Sequence, residues 1–366
     1  MRKVSVDQLE DGMVTKKPVL GFLGQVMLNA DIEIKPKHIY YLKRMGVNAV
    51  YVHDPRLEDV EVRDLATDEL RSESRALIAQ IMKDVDSASA EKKGLAFKEK
   101  EIQGVISKVV NQVLNVKDAP VQISDIRAQD GYVFAHSVNC CLLATLIGAR
   151  MNYEARFLHV LATGALIHDI GLVAIPRAIL KKPGALTDEE YSSVKKHPAI
   201  GHELFRRSKM FSERVGEVIL SHHERYLGQG YPGGLREKEI PSLARIVMVA
   251  DVFDALTSDK VYRLAYPVHK AMEMLKDWSG ELFDPEVVDC FLESLAAYPI
   301  GTHVMLSNGE SGLVVANIPG YTHRPVVRLL YKKDFSPHPS PYDLDLSRVK
   351  DMAITGLVGE DKAALH

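Results

Sequence analysis

The sequence predicts a multidomain chain: an all-α central domain flanked by a small N-terminal α+β unit and a small C-terminal β domain. Three observations predict it. A chain of 366 residues is long enough for two or three domains at roughly 150 residues each. From about Asp118 to Ala297 the apolar residues recur with helical spacing, interrupted by loops around 172–186 and 227–241. After Pro299 the period changes to two, with alternating runs around Asn308-Gly309, a strong short-range hairpin signal. The expected divisions are residues 1–58, a helical connector at 59–120, the helical domain at 121–298, and the β domain at 299–366.

The elements follow in order. "RKVSV", "GMVT" and "QVMLN" read as short strands with glycine-containing turns between some of them. "KPKHIYYLKRMG" has helical spacing and a closing Gly46, and "NAVYVH" returns as a strand before Pro55. The charged stretch 60–117 is helical in pattern, with Leu70, Ile78, Ile81 and Met82 before a polar break and "EKEIQGVISKVVNQVLN" after it. A long helical connector of this kind is expected to carry homodimer contacts. In the last domain, "THVMLSNGESGLVVAN" gives the hairpin and "RPVVRLLYKKD" a further strand.

Composition excludes several classes. Apolar residues make up 46%, charged residues 26%, and the formal net charge is −3, so nothing points to a nucleic-acid polymer or a membrane surface as partner. "MRKVSVDQLEDG" has no apolar core of signal-peptide length, which predicts a cytoplasmic protein. Phe157 to Leu180 is apolar enough to mimic a membrane span. It carries His159, His168, Asp169 and Arg177 and is broken by Gly171 and Pro176, so it reads as a buried helix and loop. Cys140, Cys141 and Cys290 have neither metal-type spacing nor a disulfide pattern and read as small core residues.

Within the helical region the chemistry-bearing residues are His136, the pair His168-Asp169, His197, the pair His222-His223, and Asp251 with Asp254. A lone histidine on an apolar helix is usually a hydrogen-bonded core residue. So many ionisable groups on apolar helices are costly unless a divalent cation neutralises them. Neighbouring helical residues differ by about 100°, so each adjacent pair can address one site from two flanks. A carboxylate can bridge two metals and imidazole cannot, which makes Asp169 the natural bridge. His136, His168 and Asp251 would complete one metal; His197, His222 and His223 would complete the other. Two metals about 3.5–4 Å apart suit in-line hydrolysis of a phosphodiester. His159 and His202 fall off the face of the helix that would carry the site, and His38 and His53 are isolated.

The order His136, "HD" at 168–169 and Asp251 is similar to that of the HD-domain phosphohydrolases. "HHE" at 222–224 and "GYP" at 230–232 resemble the HD-GYP subfamily, bacterial cyclic di-GMP phosphodiesterases, as do "KPGALTDEEYSSVKKHPAIG" and "ADVFDALTSDKVYR". The resemblance covers about residues 130–297. It implies an HD-type catalytic domain with metal ligation by His136, His168, Asp169, His197, His222, His223 and Asp251, with His168 and Asp169 at the catalytic centre. It implies substrate contacts from Asp254, Lys260, Arg263 and Tyr231, Lys260 standing where the family usually has arginine. The implied reaction is hydrolysis of cyclic di-GMP to pGpG or GMP by a hydroxide shared between two divalent metals. The nitrogen and oxygen donors admit Fe, Mn, Co, Ni or Zn, and the family resemblance favours Fe or Mn. Gly230-Tyr231-Pro232 is implied to shape the site or to meet a partner such as a diguanylate cyclase-domain protein.

Three positions depart from the family pattern. Leu172 replaces the lysine of HDIGK, Leu227 replaces an acidic residue after "HHER" and one aromatic, and Tyr132 replaces a glutamate found in members with a third metal. Loss of the lysine predicts slow turnover, since it removes a charge beside the scissile phosphate. Arg177, Lys181 or Lys182 are candidates to compensate. Two alternatives follow: a catalytically weak cyclic di-GMP receptor, and an HD hydrolase of another nucleotide.

Overall fold

The structure is a computed structural model describing residues 1–21, 25–47, 49–91, 99–123, 132–182, 184–208, 212–258 and 265–358. Lys260 and Arg263 lie outside the described residues, as does the side chain of Tyr132.

The N-terminal unit pairs β1 (Arg2–Ser5) with β4 (Ala49–Val52) antiparallel, and β2 (Val19–Leu20) with β3 (Val26–Leu28). Helix α1 (Pro36–Arg44) starts at a proline suited to a first helical turn and stops before Gly46, whose φ of 68° a glycine adopts without strain. Val4, Val19, Ile34, Leu42, Val50 and Val52 form its own small core. "GMVT" differs from expectation: Val14 and Thr15 make only isolated bridges, to Glu33 and Val52.

The connector supplies α2 (Asp68–Glu91) and α3 (Glu99–Val116). It is not a free spacer. Ile78, Ile81 and Val85 of α2 and Ile102, Val105, Ile106, Val109 and Val113 of α3 are buried in the same cluster as the helical domain. These apolar residues of the connector are therefore covered within the chain.

The helical domain comprises α4 (Tyr132–Arg150), α5 (Ala155–Ile167), α6 (Arg177–Leu180), α7 (Asp188–Val194), α8 (His197–Ser208), α9 (Glu213–Ser221), α10 (Ser242–Leu256), α11 (Val268–Asp277) and α12 (Pro285–Ser294). Helix α4 is central, packed on α2, α3, α5, α10 and α12. It is apolar on every side because every side is covered. Val133–Arg150 and Ala155–Ala174 are long and apolar enough to cross a membrane by length and composition, yet 83% and 67% of these windows are buried inside the fold. They are core helices.

The C-terminal domain is a five-stranded antiparallel sheet in the order β8-β7-β6-β5-β9, with β5 (His303–Leu306), β6 (Ser311–Ala316), β7 (Val326–Tyr331), β8 (Pro337–Asp345) and β9 (Ile354–Leu357). Asn308-Gly309 makes the β5–β6 turn, with Gly309 at φ 87°. Alternate residues split between two faces: Val304, Leu306, Val314 and Leu329 pack on the helical core, while Leu313, Val315 and Leu330 cover Leu57.

Candidate metal centre

The HD pair sits where α5 ends. His168 closes that helix, and Asp169 opens a 3₁₀ turn over Ile170–Ala174. The second pair sits where α9 ends, at Ser221, with His222 as its cap. Neither pair lies inside a helix, so the 100° argument does not place them; the chain is released just as the second residue of each pair must turn inward. His197 opens α8, His136 lies on the second turn of α4, and Asp251 and Asp254 lie near the end of α10.

Two glycines allow the close approach. A Cβ on Gly171 would stand 2.0 Å from the His197 carbonyl oxygen and 2.7 Å from the Gly201 nitrogen. The turn bearing Asp169 is thereby pressed onto α8. A Cβ on Gly230 would stand 2.3 Å from backbone atoms of Glu224 and Arg225, so the GYP loop folds directly onto the strand of chain after His223. Buried Glu224 locks it there, accepting from the Gly233 N–H at 2.7 Å and the Leu235 N–H at 3.0 Å. The Tyr231 N–H donates to the His223 carbonyl at 3.1 Å, and its ring lies against the His223 imidazole, centroids 4.9 Å apart.

The histidine tautomers follow from their partners. His168, His197 and His222 each place Nδ1 2.8 Å from the backbone carbonyl three residues earlier, Ala165, Val194 and Ile219. A carbonyl only accepts, so each Nδ1 carries the proton and each Nε2 presents a lone pair. These lone pairs converge. His197 Nε2 is 3.2 Å from His222 Nε2, and buried His168 Nε2 has no hydrogen-bond partner. Facing lone pairs repel unless a cation lies between them.

Asp169 stands in the middle with its oxygens divided. Oδ1 is 3.2 Å from His197 Nε2 and 3.7 Å from His222 Nε2; Oδ2 is 3.3 Å from His168 Nε2 and 3.9 Å from His136 Nε2. Asp251 spans likewise, Oδ1 3.1 Å from His136 Nε2 and Oδ2 3.7 Å from His223 Nδ1. Atoms sharing a metal at about 2.0–2.2 Å stand about 3 Å apart, so this donor set fits divalent cations. The atoms separate into two groups, His136, Cys140, His168 and Asp251, and Asp169, His197, His222 and His223.

Burial would raise the Asp169 carboxyl, but His168, His197 and His222 outweigh it and hold it well below the usual range. Burial would likewise raise Asp251, but the His136 hydrogen bond and the surrounding imidazoles hold it far down. Burial lowers His222, and drives His223 well below the ordinary histidine value with help from His222. Burial would also lower His168; the Asp169 carboxylate, 3.3 Å from its Nε2, reverses that and leaves it raised. The cluster thus holds two carboxylates kept ionised, with His222 and His223 disposed to stay neutral, states that suit metal ligands.

Asp254 requires a correction. Its carboxylate is 2% exposed, bonded to His136 Nδ1 at 2.7 Å and accepting from Asn139 Nδ2 at 2.9 Å. It stands behind His136, where it orients the ring, and is not open to a substrate. Cys140 also differs: it is buried as expected, but its Sγ is 3.6 Å from His136 Nδ1, and burial pushes the thiol up to about 12. His159 faces Ser107 of α3 and the Ala155 carbonyl, away from the cluster, and His202 is outside both groups. Arg177 is 88% exposed toward Asp86, and Lys182 is paired with Glu190 at 2.6 Å. Among the described residues, exposed Lys195 is set beside Tyr231, its Nζ 5.7 Å from the ring centroid. Leu172 is half-buried and, among the described residues, belongs to none of the three buried apolar clusters.

The spacing of His136 and Asn139 on one helix face was readable as a pair; Asn139's link to Asp254, 115 residues away, was not.

Fold and site together define an all-α domain of the HD type, with a buried His/Asp cluster able to hold metal ions. Residues 120–287 match the HD domain family, and residues 303–365 match a KOW domain associated with HD domains. The chain is 32% identical over 255 residues to a cyclic di-GMP phosphodiesterase of Pseudomonas aeruginosa, covering 70% of this chain and 59% of that protein. It is 41% identical over 172 residues to the cyclic di-GMP phosphodiesterase response regulator RpfG of Xanthomonas campestris pv. campestris, covering 47% and 46%. It is 31% identical over 174 residues to a 3′3′-cGAMP-specific phosphodiesterase of Vibrio cholerae, covering 48% and 38%. The chain therefore spans from about two fifths to three fifths of the length of these relatives. With the histidine cluster and the loop Gly230-Tyr231-Pro232 in place, the chain belongs to the HD-GYP family.

Proposed function

We propose that the chain is a metal-dependent phosphodiesterase acting on a cyclic dinucleotide, with cyclic di-GMP as the substrate and pGpG, then GMP, as products. The observation that carries this reading is Asp169, whose two oxygens face two separate groups of imidazole nitrogens. His136, His168 and Asp251 would hold one divalent ion and His197, His222 and His223 the other, with Asp169 common to both. When bound, such a pair polarises a phosphate oxygen and makes water nucleophilic near neutral pH. Nitrogen and oxygen donors suit iron or manganese, and zinc, nickel and cobalt are compatible with them.

The protein's own residues do the rest. Asp254 holds His136 in one ring orientation, and the three backbone carbonyls do the same for His168, His197 and His222. The Tyr231 ring, backed by His223, offers a flat wall for a base, and Lys195 sets a positive charge near it, 5.7 Å from the ring centroid. Lys260 and Arg263 remain proposed phosphate or guanine contacts. Dimer formation and a diguanylate cyclase-domain partner at the exposed tip of the Tyr231 loop belong to the same reading.

The similarity to a 3′3′-cGAMP-specific enzyme supports a second substrate, the mixed cyclic dinucleotide. Leu172 supports slow turnover with binding retained. Anaerobic purification with metal analysis, followed by product chromatography after incubation with cyclic di-GMP and with 3′3′-cGAMP, tests the proposal. Metal-dependent release of pGpG or GMP is expected. A metal-replete protein that binds cyclic di-GMP and cleaves neither nucleotide is the receptor of the alternative reading.

A further inference from the structure

His136 differs from the other histidines of the cluster in what holds it. Behind it runs a chain of hydrogen bonds that leaves the helical domain altogether. Asp254 Oδ2 meets His136 Nδ1 at 2.7 Å, and Asp254 Oδ1 accepts from Asn139 Nδ2 at 2.9 Å. Asn139 Oδ1 accepts from Arg71 Nη1 at 3.1 Å, and Arg71 Nη2 donates to Asp64 Oδ1 at 2.8 Å. Lys17 Nζ, from the N-terminal unit, donates to Asp64 Oδ2 at 2.5 Å.

Each link is buried in a way that makes it costly to leave unmade. Arg71 and Asn139 are each 1% exposed, and the side chains of Asp64 and Lys17 are 12% and 14% exposed. Burial would raise the Asp64 carboxyl, but Arg71 and Lys17 overcome it and keep it below the usual value, so the ion pair stays charged. An arginine buried between two acceptors presents its fork in one orientation, and that orientation sets where the Asn139 amide can stand. Asn139 in turn fixes the Asp254 carboxylate against His136. Lys17 lies in the wall of a cavity of about 560 Å³ between the N-terminal unit and the connector, shared with Lys16, His53, Asp68 and Glu69.

We propose that Arg71 is a positioning residue for the His136 half of the metal centre, and that Lys17 extends its grip so that the N-terminal unit sets how tightly that half holds its ion. The inference rests on the metal-centre reading above. It assigns the N-terminal unit a physical connection to the site, through Asp64 and through side chains on the three helices α2, α4 and α10.

The test uses the full chain, stripped of metal and titrated with Co²⁺, following visible absorption for each binding phase and melting temperature for the fold. The phase absent from His136→Ala is the one under study. Lys17→Met is expected to weaken that phase about three- to tenfold, and Arg71→Lys about tenfold, while the other phase moves less than about twofold. Lys17→Arg should restore the wild-type value. Lys17→Met lies outside the metal centre and decides the matter even where Arg71→Lys folds poorly. Equal affinity of wild type and Lys17→Met in both phases overturns the inference. So does parallel weakening of both phases with a lowered melting temperature, which is a general loss of structure. A wild type that binds no Co²⁺ overturns the metal-centre reading itself, and is seen before any variant is compared.

Discussion

The two sides of the cluster are built by different means. On the side of His197 and His222, as for His168, orientation is local: each Nδ1 is tied to a carbonyl three residues back, and each histidine sits at a helix end. On the side of His136 the orientation is long-range, resting on Asp254, 118 residues away, and on partners further still. Locally held ligands are robust to change elsewhere in the chain. A ligand held at long range is exposed to every link behind it, which is a weakness for stability and an opening for control.

Asp169 joins the two sides, so its removal is expected to have the largest effect. Asp169→Ala should lose both metals and lower the hydrolysis rate by about a thousandfold or more. Metal analysis and single-turnover kinetics check this, and a variant that keeps one full equivalent would show the sides to be independent. His223→Ala should sharpen the contrast, weakening the side of His197 and His222 while the His136 side stays loaded. Equal loss on both sides, read by metal titration, would show that Asp251, which approaches both His136 and His223, matters more than this division allows.

Leu172→Lys comes next. Lysine in that turn should raise the single-turnover rate about a hundredfold without a comparable gain in affinity, by supplying the charge the phosphate otherwise lacks. Leu172 is half-buried and outside the apolar clusters, so the fold should tolerate the change. Unchanged stability with a slower reaction would contradict this account of Leu172. The smallest effect is expected from Glu224→Gln, which keeps one backbone hydrogen bond, sets an amide NH2 against the other buried N–H and should cost about 1–3 kcal/mol, most of it in the Tyr231 loop. Limited proteolysis of that loop, against an unchanged cut pattern elsewhere, checks it.

How far these features were legible in the sequence follows the same local and long-range division. The histidine pairs, the Gly46 and Asn308-Gly309 turns and the apolar helices all announce themselves through near neighbours. Strand β8 does not: Pro337, Pro339 and Pro341 argue against a strand, and they are tolerated because β8 is an exposed edge with one paired side. The connector looked like a separate helical unit because its charge pattern is visible and the helix that covers its apolar face is not. Asp254 read as a substrate contact because the family resemblance implies one; only the fold shows its carboxylate turned to His136 and Asn139. Arg71 gave no signal at all, since a buried arginine on a charged helix looks like any solvated one.

The central claim is that Asp169 lies between two metal ions. The most direct measurement is the metal-to-protein ratio of the anaerobically prepared, metal-replete 366-residue chain, by elemental analysis, beside the same measurement on Asp169→Ala. The account predicts a ratio near two for the wild type and near zero for the variant, with both proteins folded by circular dichroism. A folded wild type with a ratio near zero, or a folded Asp169→Ala that still carries two metals, would contradict it.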